Sequence, residues 1–288
     1  MEKLISLPLF CVLLLAFASC GKTEEELEPP TTQTKPLEIP VQPMISEVSG
    51  IADSKANPGH LWAQEDSGNP AQLYLLHHNG TVTKQVMIKG VKNRDWEDIA
   101  LWDGEIYLAD TGDNNENATS YTIYHFPEPS LGVDTIKTVS AIPFRYANGS
   151  HDAEAFLVDP TTKDILLITK RETPSKIYKI AYPYSSTSLN VAEPVGSLPY
   201  TNVVSAALSP NGQEAIIKTY TTLYHYRQEA SEPLTEWLQR KPEILPYKLE
   251  PQGEAVTFAI ADSGYFTLSE QGLFSAVNLY FYKNESRF

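Results

Sequence analysis

The sequence predicts an all-β chain folded as a β-propeller, with five blades and six as the alternative. Three observations carry this. A short motif recurs about every 50 residues, as VSGIAD (48–53), DWEDIA (95–100), HDAEAFLVD (151–159), VSAALSP (204–210) and GEAVTFA (253–259), and a period of that size marks a propeller or solenoid. Each motif is followed by further short apolar runs separated by turn signals. Helical periodicity is nearly absent.

The motifs align on Ser49, Glu97, Glu154, Ser205 and Glu254. Each opens the first strand of a blade, which lines the central channel and therefore carries small apolar residues. Second runs follow as HLWAQED (60–66), EIYLADT (105–111), DILLITK (164–170), EAIIKTY (214–220) and GYFTLSE (264–270). Third runs are rich in Tyr and β-branched residues: QLYLLHH (72–78), YTIYHF (121–126), KIYKIAY (176–182), TLYHYR (222–227) and NLYFYK (278–283). Turn pairs NG at 79–80, DG at 103–104 and NG at 211–212 punctuate them. The last repeat has room for only three strands, so the segment around 38–47 is expected to supply the fourth and close the ring. The longer interval between the second and third motifs is where a sixth blade would hide. Residues 231–240 read as one short helix, with Ser231 as its cap and Pro233 in its first turn.

The N-terminus reads differently. Lys3 precedes an apolar run from Leu4 to Ala18, too short for a membrane span and flanked as a signal peptide is. Ala18-Ser19-Cys20 resembles a bacterial lipobox, which implies a signal peptide over 1–19 and lipidation of Cys20; Phe17 departs from the usual aliphatic residue three before the cysteine. A plain secreted protein is the alternative. The following GKTEEELEPP is similar to the acidic stretch behind the cysteine of surface-exported lipoproteins in Bacteroidetes-type bacteria. Residues 20–43, rich in Pro and Thr, are expected to form a flexible linker, and 44–288 the propeller. The expected location is the outer membrane or cell surface of a Gram-negative bacterium, anchored by acyl chains such as palmitate.

Both cysteines, Cys11 and Cys20, lie before the linker. Disulfides, thiolate metal sites and cysteine nucleophiles are therefore excluded from the domain. A net charge of −14 and the lack of a Lys/Arg stripe argue against nucleic acid as a partner.

In a propeller, the loop leading into the first strand and the loop leaving the second share one face. Asp95, Glu97, Asp98, His151, Asp152, Glu154 and Glu254 from the first set would meet Glu65, Asp66, Asp110, Asp113, Asn114, Lys170, Arg171, Lys218 and Glu270 from the second. Trp96 would wedge between blades. Converging carboxylates suit a hard cation, and Ca²⁺, which accepts many oxygen ligands in loose geometry, is the candidate, with no cofactor assigned. Glu97, Glu154, Glu254, Asp110 and Asp113 are the candidate metal ligands. A water-filled polar channel is the alternative for the glutamates, and side-chain-to-backbone turns are the commoner role for DTGDNNEN (110–117), which does not match an EF-hand. Glu65, Asp66, Arg94, Asp95, Asp98, Asp152, Lys170, Arg171, Lys218 and Glu270 are candidate ligand-binding residues. Internal pairing would instead join Arg171 to Glu172 or Glu154, and Lys170 to Glu97. His151, beside Asp152 and Glu154, is the candidate general base. No GxSxG, P-loop or HExxH occurs.

SGIAD, NPGHLWAQEDSGN, KNRDWEDIA, YLADTGDNNEN, HDAEAFLVDP, ITKRE and PQGEAV resemble the signatures of bacterial propellers in the SdiA-regulated and phytase-like-esterase groups, over most of 46–270. The resemblance implies the propeller fold and says little of function. Two functions stay open. One is an envelope lipoprotein whose propeller face binds a small molecule, glycan or protein. The other is a calcium-dependent hydrolase of phosphate esters or lactones, a logic similar to that of propeller phytases and gluconolactonases.

Overall fold

The structure is a computed structural model that describes residues 35–261, 263–272 and 276–284. The expected signal peptide, Cys20 and the first part of the linker lie outside the described residues.

The chain is a β-propeller. It opens with β1 (Leu37–Pro40). The first antiparallel group is β2 (Val48–Asp53), β3 (His60–Glu65), β4 (Gln72–His77) and β5 (Val82–Ile88). The second begins with β6 (Trp96–Trp102), β7 (Glu105–Asp110) and β8 (Tyr121–Pro127). A two-residue strand, β9 (Thr135–Ile136), then pairs with the edge of β5, and β10 (Ser140–Tyr146) completes the second group. The third group is β11 (Ala153–Val158), β12 (Ile165–Thr169), β13 (Lys176–Ile180) and β14 (Asn190–Ser197). The fourth is β15 (Val203–Leu208), β16 (Glu214–Thr219), β17 (Leu223–Arg227) and, after α1 (Leu234–Trp237), β18 (Glu243–Leu245). The fifth is β19 (Gly253–Phe258), β20 (Gly264–Ser269) and β21 (Asn278–Lys283), completed by β1 antiparallel to β21.

The innermost strands β2, β6, β11, β15 and β19 each touch the next, and β19 returns to β2. Strand β1 closes the ring as the sequence suggested. Residues 37–43 therefore belong to the fold and not to a linker: Ile39 packs with the first and fifth groups and Val41 is buried among them. The long second interval holds β9 and its approach loop, which extend the first group's edge without building another group among the described residues. The helix is also shorter than expected. Pro233 is its N-cap, so Ser231 is not, and Leu234 and Trp237 anchor it to the core.

Burial explains why these runs are strands. Every residue of β2, β11 and β19 is buried, as suits a strand packed on both faces, whereas β5 and β10 are part-exposed along their length, although β10 also pairs in parallel with β14 and so joins the second and third groups into one sheet. Neighbouring groups enclose separate apolar cores. Trp62 and Leu75 of the first meet Trp96 and Leu108 of the second. Trp96, fully buried, wedges there as expected.

Each inner strand carries a register shift at one and the same point: between Val48 and Gly50, Trp96 and Asp98, Ala153 and Ala155, Val203 and Ser205, and Gly253 and Ala255. A bulge adds one residue and re-aims its side chain. The extra residues are Ser49, Glu97, Glu154, Val204 and Glu254. This corrects the fourth alignment by one: Val204 holds the bulge, not Ser205. That motif carries no acid, and its small serine sits one place beyond the bulge.

The position after the bulge is Gly50, Asp98, Ala155, Ser205 and Ala255. Here the inner strands approach closely, and a Cβ on Gly50 would meet the backbone of Asp98 and Ile99. Asp98, expected at the mouth, instead lies across the channel. Its carboxylate accepts the Ala206 N–H (3.1 Å), the Ser205 hydroxyl (3.2 Å) and the Ile99 N–H (3.0 Å). The Ser205 hydroxyl in turn accepts the Val256 N–H (3.3 Å). One carboxylate thus ties β6 to β15 and, through Ser205, to β19. Burial pushes its carboxyl well above the ordinary range, against those donors. Asp98→Ala would strand buried N–H groups at roughly 1–3 kcal/mol each, so a loss of about 2–5 kcal/mol is expected, read from the urea unfolding midpoint.

Candidate functional site

The bulged residues and the ends of the second strands share one face. Glu97 is the centre of what gathers there. It is 5% exposed, and its carboxylate receives no hydrogen bond or ion pair among the described residues. Asp66, Asp95 and Glu97 can bring one oxygen each to within 4.8 Å of one another, and Glu97, Asp152 and Glu154 can do the same. Gly112 makes room for this. Its N–H donates to the Asp95 carbonyl (3.1 Å), and a Cβ there would strike the Glu97 carboxylate and crowd that of Asp95.

Local folding explains the convergence. Asn93 precedes β6, donates its amide to the carbonyls of Glu65 and Asp66 (2.9 and 2.7 Å) and accepts the Trp96 N–H (3.1 Å). It therefore ties the loop after β3 to the loop before β6, setting Asp66 beside Asp95. The bulge then turns Glu97 towards both.

The electrostatics follow from the crowding. Burial, then the charges of Glu154, Asp66, Asp95 and Asp152, drive the Glu97 carboxyl well above its ordinary value. Burial likewise raises Asp66 and Asp95, with Asp66 adding to the rise at Asp95. Glu270 is pushed up to about 8 by burial and the nearby Glu254. Glu154 rises to about 8 through burial, although Lys170 Nζ lies 2.5 Å from its Oε1 and opposes the rise. That lysine is held charged by Glu154. Arg171 Nε lies 2.6 Å from Asp152 Oδ2. The pairing expected for these bases is thus corrected: Lys170 takes Glu154 and Arg171 takes Asp152, because each pair sits on the adjacent ends of β11 and β12.

Compensation is uneven. The Glu97–Asp152–Glu154 trio has two cations against it. The Asp66–Asp95–Glu97 trio has none in contact among the described residues, since Arg94 turns to Asp110 (3.4 Å) and to the carbonyls of Gly112 and Asp110. An all-oxygen set without His or Cys suits a hard divalent ion. Asp66, Asp95 and Glu97 would hold it, with Asp152 and Glu154 completing the charge around Glu97.

Of the five expected metal ligands, only Glu97 and Glu154 meet in this way. Asp110 accepts the Asp95 N–H (3.0 Å), and burial, opposed by Arg94, raises its carboxyl to about 6. Asp113 accepts the N–H groups of Asn117 and Ala118 and the Tyr121 hydroxyl, which is the turn role weighed against metal binding. Glu254 accepts the Tyr220 hydroxyl (2.8 Å). Two binding candidates are spent internally. Glu65 accepts the Tyr74 hydroxyl (2.5 Å). Lys218, fully buried, donates to the Tyr247 hydroxyl (2.5 Å), and burial lowers it to about 8. Glu270 stays at the mouth, where it accepts the Gln252 amide (2.9 Å).

His151 does not join Asp152 and Glu154. Its Nδ1 meets Glu172 Oε1 at 2.5 Å, its Nε2 lies 2.8 Å from the Tyr178 hydroxyl, and its ring packs edge-on against Tyr146. It precedes the bulge, so its side chain turns into the seam between the second and third groups.

Sequence reasoning missed three participants. Tyr220 bridges Glu254 and Lys170, its ring centroid 5.1 Å below the lysine. Glu250, raised to about 7 by burial, faces Lys218. Gly112, inside the loop DTGDNNEN, carries a signal only once its neighbours are known.

No protein-family model and no curated protein matches this sequence. Solved structures with a similar course of chain include one from a nidogen/laminin complex, at 11% identity and TM-score 0.45, covering 78% of this chain and 72% of that one. Hydrazine synthase of Kuenenia stuttgartiensis is similar at 10% identity and TM-score 0.39, over 85% of this chain. An auxiliary nutrient binding protein from Bacteroides thetaiotaomicron VPI-5482 is similar at 10% identity and TM-score 0.46, over 86% of this chain. The chain spans 65% and 61% of the latter two. At these identities the likeness is one of fold alone.

Proposed function

We propose that this chain is a cell-envelope lipoprotein with a five-bladed propeller whose acidic face binds a ligand or partner around a calcium-class cation. One observation carries the cation: the Glu97 carboxylate, 5% exposed, lies among Asp66, Asp95, Asp152 and Glu154 and accepts no hydrogen bond among the described residues. Crowding like charges in this way carries a cost in mutual repulsion. A divalent ion removes the cost and leaves coordination positions for an oxygen-bearing ligand. Calorimetric titration with Ca²⁺ tests the reading. Saturable binding is expected, and its absence at millimolar Ca²⁺ would refute the cation.

The envelope part rests on the sequence: the leader over 1–19, Cys20 and the acidic stretch behind it. Membership of the SdiA-regulated or phytase-like-esterase groups belongs to the same proposal. Cys20→Ser is expected to move the protein from the membrane fraction to the soluble fraction of a Gram-negative host. Retention in membranes would overturn lipid anchoring. Hydrolysis is the less favoured function, because His151 is committed to Glu172 and Tyr178 away from the carboxylates it would serve.

A further inference from the structure

Beside the acidic mouth, loops of the third and fourth groups enclose a second cleft of about 630 Å³. Pro174, Tyr200, Asn202, Tyr220, Thr221 and Tyr224 are among the residues lining it, and no charged side chain does so. Its walls are fixed. Tyr200 and Tyr224 stack face to face, with centroids 3.6 Å apart and planes 4° from parallel. The Tyr200 hydroxyl pairs with that of Tyr226 (2.8 Å), and Tyr220 is held by Glu254. Thr201 donates its hydroxyl to the Glu172 carbonyl (2.7 Å), and the Asn202 N–H donates to the Lys170 carbonyl (3.0 Å). Asn202 has φ 60°, a sparsely populated conformation for a residue with a side chain. Its exposed amide makes no hydrogen bond among the described residues.

We propose that this cleft binds the neutral pyranose ring of a saccharide. The inference rests on the reading of this face as a binding face and names a ligand class for it. A pyranose has an apolar C–H face and a rim of hydroxyls. The tyrosine rings offer flat apolar area with polar tips, and the Asn202 amide and threonine hydroxyls offer donors and acceptors at the rim. A charged ligand would give up hydration here without a counter-charge. Proline-rich peptides also dock on aromatic grooves, but they lodge prolines between separated rings. The contact between Tyr200 and Tyr224 leaves no slot between those two rings.

The test titrates the protein with maltohexaose, cellohexaose, mannohexaose and decaproline, followed by tyrosine and tryptophan fluorescence and saturation-transfer NMR. At least one hexasaccharide is expected to bind. Tyr224→Ala should weaken it by about tenfold or more, about 1.4 kcal/mol, and Tyr224→Phe, which keeps the ring, by less than about threefold. Asn202→Gly, which removes the amide and tolerates φ 60°, should weaken binding several-fold with the melting point little changed, and it decides the matter if Tyr224→Ala fails to fold. The proposal is overturned if no hexasaccharide binds, if binding survives both Tyr224→Ala and Asn202→Gly, or if only decaproline binds. Calcium titration of the same samples separates the two readings: calcium binding without saccharide binding sinks this inference alone, and saccharide binding without calcium binding sinks the cation alone.

Discussion

Glu97→Gln is expected to abolish calcium binding while leaving the protein in EDTA at pH 8 melting no lower than wild type. The two halves of that result have separate causes. Gln keeps the shape of the side chain and one acceptor oxygen but removes the charge shared by both carboxylate trios. A hard ion then loses its central ligand. In EDTA the same change relieves repulsion from Asp66, Asp95, Asp152 and Glu154, the charges that raise the Glu97 carboxyl once burial has done so. It breaks no hydrogen bond, since the carboxylate accepts none among the described residues. A purely structural glutamate would behave in reverse: its Gln variant would melt lower, and calcium would matter to neither protein.

The second large effect is on pH. In EDTA, stability is expected to rise as the pH falls from about 8 towards 5. The sign follows from linkage. A carboxyl whose folded pKa lies above its unfolded value contributes stability that is fully present below the unfolded pKa and is lost as pH rises through the folded one. Glu154 and Glu270, each raised to about 8, and Glu250, raised to about 7, behave so. Asp110, raised to about 6, ends its contribution earlier. Glu97, Asp66 and Asp95 act in the same direction. Lys218, lowered to about 8, acts oppositely, but its gain comes between about pH 8 and its unfolded value. Calcium should flatten the slope, because it binds the ionised cluster and restores stability at pH 8. Melting points measured from pH 5 to 9, with EDTA and with calcium, check this; a slope of opposite sign in EDTA would contradict the crowded-carboxylate account.

The sequence made the propeller legible because the repeat is carried by packing. Buried inner strands need small residues, and the period survives loops of unequal length. The ring-closing strand was legible from the missing fourth run of the last repeat. The bulge was not. Period-2 alternation fixes which residues share a face only while the register is regular, and one extra residue reverses the faces. Hence DWEDIA appeared to put Asp95, Glu97 and Asp98 together at the mouth, whereas Glu97 alone rides the bulge and Asp98 crosses the channel to Ala206. The same slip put Ser205 in place of Val204. Pairings such as Lys170 with Glu154 depend on which strand ends adjoin, a tertiary fact. Asp66 and Asp95 were visible as acids in the right loops, but Asn93, which joins those loops, gave no sign of it in the chain.

The most direct test of the central claim is thermal melting of the protein at pH 8 in EDTA, followed by calcium and, separately, magnesium. At about 100 times its dissociation constant, calcium should add roughly 2.7 kcal/mol, about 5–10 °C for a domain of this size. Magnesium, which demands tighter octahedral geometry and holds its water, should add less. A calcium-specific rise that Glu97→Gln removes is the predicted result; equal melting points in EDTA and in millimolar calcium would contradict a cation site at the mouth of the ring.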